Sequence, residues 1–259
     1  MSRNYDETRP RMQNTPENLI FGRNPVMEAL KSGREIEKIL MAKGDMNGSM
    51  HEILARARAR LIPVQEVDRQ KIDGMAQGHQ GVCAYVSAAK YYSVDEIIAG
   101  ARDSGQEPLL VLLDGITDPQ NTGAIARSAE CAGAHGVVFP SRRSAGLTPV
   151  SAKAAAGAFE YIKPARVTNL ARTIDELKEM GVWVFGADMQ GEDYRSVDFS
   201  GPLAIVIGAE GDGLSRLVRE KCDRLVSLPV VGKIDSLNAS CAAALLLYEA
   251  LRARDKQKE

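Results

Sequence analysis

Cysteine and histidine are scarce in this sequence, and their spacing argues against a metal centre. The 259 residues contain 4 cysteines and 3 histidines, and no two cysteines form a C-x-x-C pair. Zinc sites take their cysteine and histidine ligands at short, regular intervals, which this chain does not have. We therefore expect no bound metal and no disulfide framework.

Long apolar runs are absent as well. No stretch approaches the ~20 apolar residues that a helix needs to cross a bilayer. Residues 1–17 are polar, contain Pro10 and Pro16, and lack the apolar core of a signal peptide. We therefore expect no membrane contact, a cytoplasmic location and a flexible extension over residues 1–17, for which a basic arm that binds RNA is the alternative.

Neither sign of charge dominates the composition. Lysine and arginine total 33 against 34 acidic residues, which gives a formal net charge of -1. A strongly basic chain would indicate a nucleic-acid partner, so any RNA contact here must come from local patches. Arg56 and Arg60 share one face of a predicted helix and form one candidate patch, with a solvated arginine face as the alternative.

Residues 18–90 have the pattern of a small α/β unit. Short helical and strand patterns alternate from Leu19 onward, and the last strand follows the turn GHQG. His79 in this turn is a candidate catalytic base or stacking partner for a nucleotide, although most loop histidines are neither. A weak helix and a polar run with glycine and proline follow, so we assign residues 91–108 to a linker.

The remainder of the chain, residues 109–259, predicts a parallel sheet. Five buried-looking strands alternate with Ala-rich or amphipathic helices: LLVLLD, GVVF, VWVFGA, LAIVIG and RLVSLP. Continuous apolar, β-branched strands are typical of parallel sheets covered by helices on both faces. We therefore predict an α/β fold in which ligands bind at the carboxyl ends of the strands.

The stretch from Leu203 to Ser240 is the strongest candidate for a ligand site. One buried strand ends at Gly208 and a second ends at Pro229, and a glycine-containing loop follows each of them. Two such loops predict a pocket lined by main-chain groups, which suits a nucleoside-like cofactor. Ordinary strand-to-helix turns are the alternative, while the spacing G-x-x-G-x-G argues against the G-x-G-x-x-G of dinucleotide folds.

Three separated segments carry a specific combination of polar residues: DGITDPQNTGAIARSAECAG (residues 114–133), VIGAEGDGLS (206–215) and LPVVGKIDSLNAS (228–240). They resemble the signature motifs of the SpoU (TrmH) family of RNA ribose 2'-O-methyltransferases, within the knotted SPOUT superfamily. The matches are D-P-x-N-x-G-x-x-x-R, I-G-x-E-x-x-G-L and S-L-N-x-S. The first unit resembles the family's ribosomal-protein-like substrate-binding domain through FGRNPVMEAL and GHQGVCA.

The resemblance implies an S-adenosylmethionine-dependent enzyme with a substrate-binding domain at 18–90 and a methyltransferase domain at 109–259. It further implies a C-terminal trefoil knot and a homodimer with each site near the interface. The predicted last helix is apolar on more than one face, as expected if it packs on the sheet and on a partner subunit.

The implied reaction is methyl transfer to a ribose 2'-hydroxyl. The branch that the first unit resembles methylates a guanosine of bacterial 23S ribosomal RNA. A transfer RNA ribose methyltransferase is one alternative, and a non-catalytic RNA-binding assembly factor of the same fold is the other.

Eight residues match functional positions of the family. The implied catalytic residues are Asn121, Arg127, Glu210, Ser236 and Asn238, and the residues whose backbone is implied to bind the cofactor are Gly208, Leu228 and Leu237. Ser236 and Asn238 precede the last helix, so capping of that helix is the alternative for both.

The implied roles of the first motif also have structural alternatives. Asn121 is implied to orient Arg127 toward the target nucleotide, whereas the isolated pattern suggests a helix N-cap for Asn121 and a pair with Glu130 for Arg127. A guanidinium rarely gives up its proton, so we expect Arg127 to clamp a phosphate or oxygen, and the general base stays open. Glu210 is a candidate base, or a carboxylate that fixes its own loop.

Overall fold

The computed structural model describes residue 16, residues 18–44 and residues 48–255. Apart from Pro16, the extension predicted over residues 1–17 lies outside the described residues. The chain divides into two compact units between Val86 and Ser87.

The described part of the first unit contains a four-stranded mixed sheet with helices. The elements are β1 (Leu19–Phe21), α1 (Arg23–Lys31), β2 (Ile36–Ala42), α2 (Gly48–Ala59), β3 (Val64–Val67), α3 (Arg69–Asp73) and β4 (Val82–Val86). The strand order is β1-β4-β2-β3, with β2 and β3 parallel and the other two pairings antiparallel. Buried residues line both faces of this sheet because α1 and α2 cover one face and α3 lies on the other.

The two arginines predicted to share a helix face have separate roles. The Arg60 guanidinium donates three hydrogen bonds, of 3.0 to 3.1 Å, to backbone carbonyls at the end of α1 and just beyond it. These carbonyls have no partner within α1, so Arg60 closes that helix end. Arg56 pairs with Glu52 at 3.0 Å on the exposed side of α2. Arg60 is therefore structural, whereas Arg56 belongs to a solvated face.

His79 is a structural residue of the turn that precedes β4. Its side chain is 5% exposed. Nδ1 accepts a hydrogen bond from the Gly81 backbone N–H at 3.0 Å, and Nε2 lies 2.7 Å from Asp73 Oδ1. Since Nδ1 is an acceptor, Nε2 carries the proton and donates it to the carboxylate. Both ring nitrogens are thus engaged within the first unit, which matches the alternative in which His79 contacts no substrate.

The second unit alternates strands and helices. Its elements are α4 (Val94–Asp103), β5 (Leu109–Asp114), α5 (Pro119–Cys131), β6 (Gly136–Pro140), α6 (Pro149–Ala154), β7 (Lys163–Val167), α7 (Leu170–Glu179), β8 (Trp183–Asp193), β9 (Leu203–Gly208), α8 (Arg216–Lys221), β10 (Arg224–Ser227) and α9 (Ala239–Asp255). Short 3-10 turns occur at Ala158–Glu160 and Tyr194–Ser196.

The strands of the second unit form a six-stranded sheet in the order β10-β8-β9-β5-β6-β7, and every pairing is parallel. The side chains of β5 and β9 alternate between two buried clusters, one on each face of the sheet. Both strands are continuously apolar because neither face meets water. The predicted α/β fold with a helix-covered parallel sheet is confirmed.

Two elements of the second unit differ from the prediction. The weak helix predicted within 91–108 is α4, but its Ile97 and Ile98 are buried in the core of this unit, so the segment belongs to the unit and is not a linker. The sequence signal was the S-x-x-E capping box, in which Ser93 and Glu96 exchange side-chain and backbone hydrogen bonds. Strand β7 was not predicted, because Lys163–Val167 (KPARV) is short and contains a lysine, a proline and an arginine.

Arg254 fastens the end of α9 to the rest of the second unit. Its guanidinium donates to the backbone carbonyls of Glu107, Pro108 and Gly201 at 2.8, 2.8 and 2.6 Å. Burial lowers the pKa of this guanidinium from its ordinary value. The buried cation is held by these three hydrogen bonds and by the charge of Glu107, while the Pro108 carbonyl also accepts from the Leu203 N–H at 2.8 Å.

We predict that Arg254→Ala lowers the free energy of unfolding by about 2 kcal/mol, because hydrogen bonds to charged groups contribute ~1.5–3 kcal/mol and this variant removes the bonds from the guanidinium to the carbonyls. Thermal unfolding measures this as a lower Tm. Arg252→Ala is the control, since Arg252 lies on the same helix and pairs at the surface with Glu249. Equal Tm values for the two variants would refute the fastening role.

Two absences apply to the part of the chain that the structure describes. Within it, no helix has the length and apolar character required to span a membrane. Histidine, cysteine, aspartate and glutamate side chains form no group of three or more there that could hold a metal ion.

Candidate active site

The three motifs meet at one edge of the second unit's sheet. The first follows β5, the second follows β9, and the third lies between β10 and α9. Asp114 at the end of β5 pairs directly with Gly208 at the end of β9. Because parallel strands end at the same edge, segments that are far apart in the sequence become neighbours.

Asn121, Glu210 and Asn238 form a hydrogen-bonded group that ties the motifs together. Glu210 Oε1 accepts from Asn121 Nδ2 at 3.0 Å and from Asn238 Nδ2 at 2.6 Å. Asn238 Nδ2 also lies 3.0 Å from Asn121 Oδ1, although 117 positions separate the two asparagines. One carboxylate oxygen thus fixes two amides, one from α5 and one from the segment before α9.

Asn238 also organises the start of α9. Its Oδ1 accepts from the backbone N–H of Ser240 at 2.9 Å and from the Ser240 hydroxyl at 2.6 Å. The first turn of a helix has unpaired N–H groups, and this acceptor satisfies one of them. The same side chain therefore serves as a helix cap and as a member of the polar group.

The turn between Gly208 and Gly213 requires glycine for two different reasons. Ala209 and Gly213 exchange backbone hydrogen bonds of 3.0 and 2.9 Å, which close the turn. A Cβ atom on Gly208 would lie 2.3 Å from the carbonyl carbon of Gly213, so no larger residue fits. Gly211 and Gly213 have φ values of 84° and 66°, which disfavour residues with a side chain.

A cavity of about 390 Å³ opens beside this turn, with walls from the middle of β8, the loops after β9 and β10, and α9. Among the predicted site residues, those that line it are Gly208, Glu210, Leu228, Ser236 and Leu237. Most of the lining that these residues provide is aliphatic side chain or backbone. This is the kind of pocket predicted from the glycine loops.

The charge in this cavity is mainly negative. Asp188, Glu210, Asp212 and Arg219 line it. Arg219 is paired, since its Nε lies 2.8 Å from Asp188 Oδ2 and its Nη2 lies 2.9 Å from Gln190 Oε1. The carboxylates of Glu210 and Asp212 have no basic partner among the described residues, so the cavity favours a ligand with positive charge.

The first motif departs from the expected arrangement. Asp118 caps α5, accepting from the Gln120 N–H, so the structural alternative for Asn121, an N-cap, is wrong. Asn121 lies one turn later, 8% exposed, and faces Glu210 and Asn238. Its polar side chain can be buried because both partners form hydrogen bonds with it.

Arg127 lies outside both the polar group and the cavity. It is exposed on α5 and forms no hydrogen bond or ion pair with any described residue, Glu130 included. Six positions along a helix correspond to ~9 Å along its axis, and they place Arg127 on a different face from Asn121. Within one chain, the structure therefore does not bring Arg127 to Asn121.

Comparison with known proteins decides the family. The model of the SpoU rRNA Methylase family matches residues 108–248, and the model described as RNA 2'-O ribose methyltransferase substrate binding matches residues 19–92. The chain belongs to the SpoU methylase family. It is an S-adenosylmethionine-dependent RNA methyltransferase, and the predicted family and cofactor are confirmed.

Relatives of this SpoU methylase cover nearly the whole chain. YacO of Bacillus subtilis (strain 168), assigned to the TrmH family of tRNA/rRNA methyltransferases, is 48% identical over 91% of this chain and 96% of its own. The SpoU methyltransferase AviRb of Streptomyces viridochromogenes, solved with AdoMet, is 28% identical, with a TM-score of 0.59 and coverage of 93% and 91%. An AdoMet-bound rRNA methyltransferase of Sinorhizobium meliloti is 28% identical, with a TM-score of 0.56 and coverage of 90% and 86%.

The cavity of this SpoU methylase fits S-adenosylmethionine in size and chemistry. Its volume of about 390 Å³ lies in the range of small-molecule sites. Leu228 and Leu237 offer apolar surface to a flat purine, and the glycine turn offers backbone groups. The unpaired carboxylates of Glu210 and Asp212 complement a cationic sulfonium.

Sequence reasoning missed the ion pair of Asp188 and Arg219, which lines the same cavity. The available signal was the position of Asp188 directly after the predicted strand VWVFGA, at an edge where ligands bind. Arg219 gave no signal, because its contact with Asp188 exists only after β8 and α8 have packed.

Proposed function

We propose that the protein transfers a methyl group from S-adenosylmethionine to the ribose 2'-hydroxyl of a guanosine in bacterial 23S ribosomal RNA. The observation that carries the proposal is the Asn121–Glu210–Asn238 group beside a negatively charged cavity. The match of residues 19–92 to a 2'-O ribose substrate-binding domain supports a sugar hydroxyl as the acceptor. A ribosomal RNA substrate also supports the predicted cytoplasmic location.

The residues that would hold the cofactor are Gly208, Leu228 and Leu237, through their backbone groups. Leucine suits such a position because its amide reads the edge of a base while its side chain excludes water. When bound, S-adenosylmethionine supplies an electrophilic methyl group on a positively charged sulfur. The surrounding carboxylates and the apolar walls favour that charge and keep competing water away.

The polar group would set the geometry of the reaction. Fixing the reacting groups in an aligned geometry can supply ~7–11 kcal/mol of barrier lowering. Glu210 joins the loop beside the cofactor cavity to Asn121 at the start of α5 and to Asn238 before α9, so the three motifs keep one spacing. Ser236 lines the same cavity and closes it from the third motif. We assign all four residues to positioning.

Arg127 would bind the RNA. It carries an exposed guanidinium without a partner among the described residues, and a guanidinium holds its proton at all physiological pH values. Its planar fork suits a bidentate contact with a phosphate. We therefore propose a clamp on the substrate backbone for Arg127 and not a general base.

A homodimer is part of the proposal. Leu245 and Tyr248 on α9 are 49% and 52% exposed, and the loop before α9 exposes Val231 and Ile234. Exposed aromatic and aliphatic side chains on one element are typical of a subunit interface. The trefoil knot implied by the family resemblance stays a prediction.

Mapping of the transferred methyl group tests the proposed function. The protein is incubated with labelled S-adenosylmethionine and either unmodified 23S ribosomal RNA or unmodified transfer RNA, and nuclease digests are analysed by mass spectrometry. We expect label on the 2'-oxygen of a guanosine in 23S RNA. Ribose label in transfer RNA alone would favour the transfer RNA alternative. The name of YacO, a TrmH family tRNA/rRNA methyltransferase, is compatible with either substrate. Label on a base, or cofactor binding without transfer to either RNA, would overturn the proposal.

A further inference from the structure

A second cavity of about 800 Å³ lies beside the first, and the proposed function does not use it. The two cavities share the wall formed by Ala209, Glu210, Asp212 and Gly213. The rest of the second cavity is formed by the segments that follow β5, β6 and β7 and by the start of α8. It therefore lies at the carboxyl edge of the sheet, on the opposite side of Glu210 from the cofactor cavity.

The loop after β6 is built to present two arginines to this cavity. The backbone N–H groups of Ser141 and Ala145 donate to carbonyls at the end of β7 and just after β5, at 2.8 and 3.0 Å. Between these anchors, Arg143 has a φ of 55°, a conformation that residues with side chains rarely adopt and that clusters at binding sites. Arg142 and Arg143 both line the cavity from this anchored loop.

Neither arginine is neutralised by the protein. Both are exposed, and neither forms a hydrogen bond or ion pair with a described residue. In this unit Arg172, Arg195, Arg216 and Arg219 each pair with an acidic side chain instead. Two adjacent unpaired guanidinium groups favour an anion that accepts several hydrogen bonds, such as a phosphate.

Carboxylates that accept hydrogen bonds also line the cavity. Asp114 accepts from the Ser215 N–H at 2.6 Å, and Asp118 accepts from the Gln120 N–H at 2.9 Å. Each carboxylate keeps free lone pairs for further donors, as Glu210 does. A ligand would therefore place its anionic part at the arginines and its hydroxyl or N–H groups at the carboxylates.

We propose that this second cavity binds one nucleotide of the RNA substrate, with its phosphate at Arg142 and Arg143. Its volume is sufficient for a nucleotide, and Pro140 and Leu217 give apolar surface for a base. Since the cavity shares the Glu210 wall with the cofactor cavity, a sugar bound in it lies at the boundary of the two sites. This inference rests on the proposed function, because only an RNA substrate supplies both phosphate and sugar at this boundary.

The test compares the full-length Arg142→Ala/Arg143→Ala double variant with the wild type, using an unmodified 23S ribosomal RNA transcript as the probe. RNA affinity is measured without turnover over a range of salt concentrations, because each lost phosphate contact lowers the salt slope by about 0.7–0.9. We expect the slope to fall by about 1.5, the KM for RNA to rise on the order of tenfold, and the Kd for S-adenosylmethionine to stay within twofold.

Two further variants keep the test specific. Arg172→Ala/Arg216→Ala removes two arginines that pair with acidic residues at i,i+4 on the surface of the same unit, and we expect it to behave as wild type. Arg142→Lys/Arg143→Lys keeps both charges and should restore most of the salt slope. The cavity proposal is overturned if the double alanine variant binds RNA with the affinity and slope of the control. Because this readout needs no methyl transfer, it is independent of whether the label falls on ribose or on a base.

Discussion

Replacement of Arg127 by alanine is expected to lower the rate of methyl transfer by roughly 10³-fold, the scale on which arginine clamps act on charged reaction centres. The Kd for S-adenosylmethionine should stay within a few-fold of wild type, because Arg127 does not line the cofactor cavity. Stability should change little, since the side chain is exposed and has no partner among the described residues. Single-turnover methylation, calorimetric titration with the cofactor and thermal unfolding measure the three quantities.

Two controls separate charge from shape in this prediction. Arg127→Lys keeps the positive charge without the planar fork, so a bidentate phosphate contact predicts only partial recovery of the rate. Arg172→Ala removes an arginine that is paired with Glu176 on α7, and it should leave the rate unchanged. Equal losses of turnover and of cofactor affinity in Arg127→Ala would instead place this residue in the cofactor site or in the folding core.

The sheet and its ligand-binding edge could be predicted because their signals are local. A strand buried on both faces is apolar at every position, as in Leu203–Gly208, and a strand that ends in glycines marks a turn where the backbone is exposed. Strand β7 shows the limit of this reasoning, because an edge strand with lysine, proline and arginine has no such pattern. Its place depends on pairing with β6, which is a tertiary contact.

The partners of polar side chains could be predicted less well than the positions of the motifs. The isolated pattern offered a helix cap as the alternative for Asn121, but Asp118 stands nearer to the start of α5 and takes that role. The contact of Asn121 with Glu210 joins a helix and a loop 89 positions apart, so no local pattern encodes it. Family resemblance predicted that the motifs converge. The identity of each hydrogen bond required the packed loops.

Most arginines of the second unit have their charge balanced by a nearby partner. Many of the arginines of the second unit pair with nearby carboxylates or, like Arg254, with backbone carbonyls, and their charge is locally balanced. Among the described residues of this unit, three stay unpaired: Arg142 and Arg143 lie on the loop after β6, at the carboxyl edge of the sheet, and Arg127 lies on the exposed face of α5. RNA recognition at this edge would thus depend on a few placed charges and not on a basic surface.

Glutamine and alanine at position 210 are expected to have different effects. A glutamine carbonyl oxygen can accept from both Asn121 and Asn238 as Oε1 does, so Glu210→Gln should keep the rate of methyl transfer within about tenfold of wild type. Glu210→Ala leaves both amides without their shared acceptor, and misplacement of loops by about 1 Å can cost roughly 10²-fold in rate. The unpaired amides also cost about 1–3 kcal/mol each where they are buried.

The comparison of these two variants decides between the roles that the sequence left open for Glu210. A carboxylate that takes the proton of the sugar hydroxyl cannot be replaced by an amide, so Glu210→Gln would then be as inactive as Glu210→Ala. Asp212→Asn is the matched control, because it removes one negative charge from the same cavity wall without touching the hydrogen-bonded group. If Glu210→Gln and Asp212→Asn show similar, small losses in rate and in cofactor affinity, the charge of Glu210 contributes to binding. Its oxygen then contributes to positioning, through the contact that joins all three motifs.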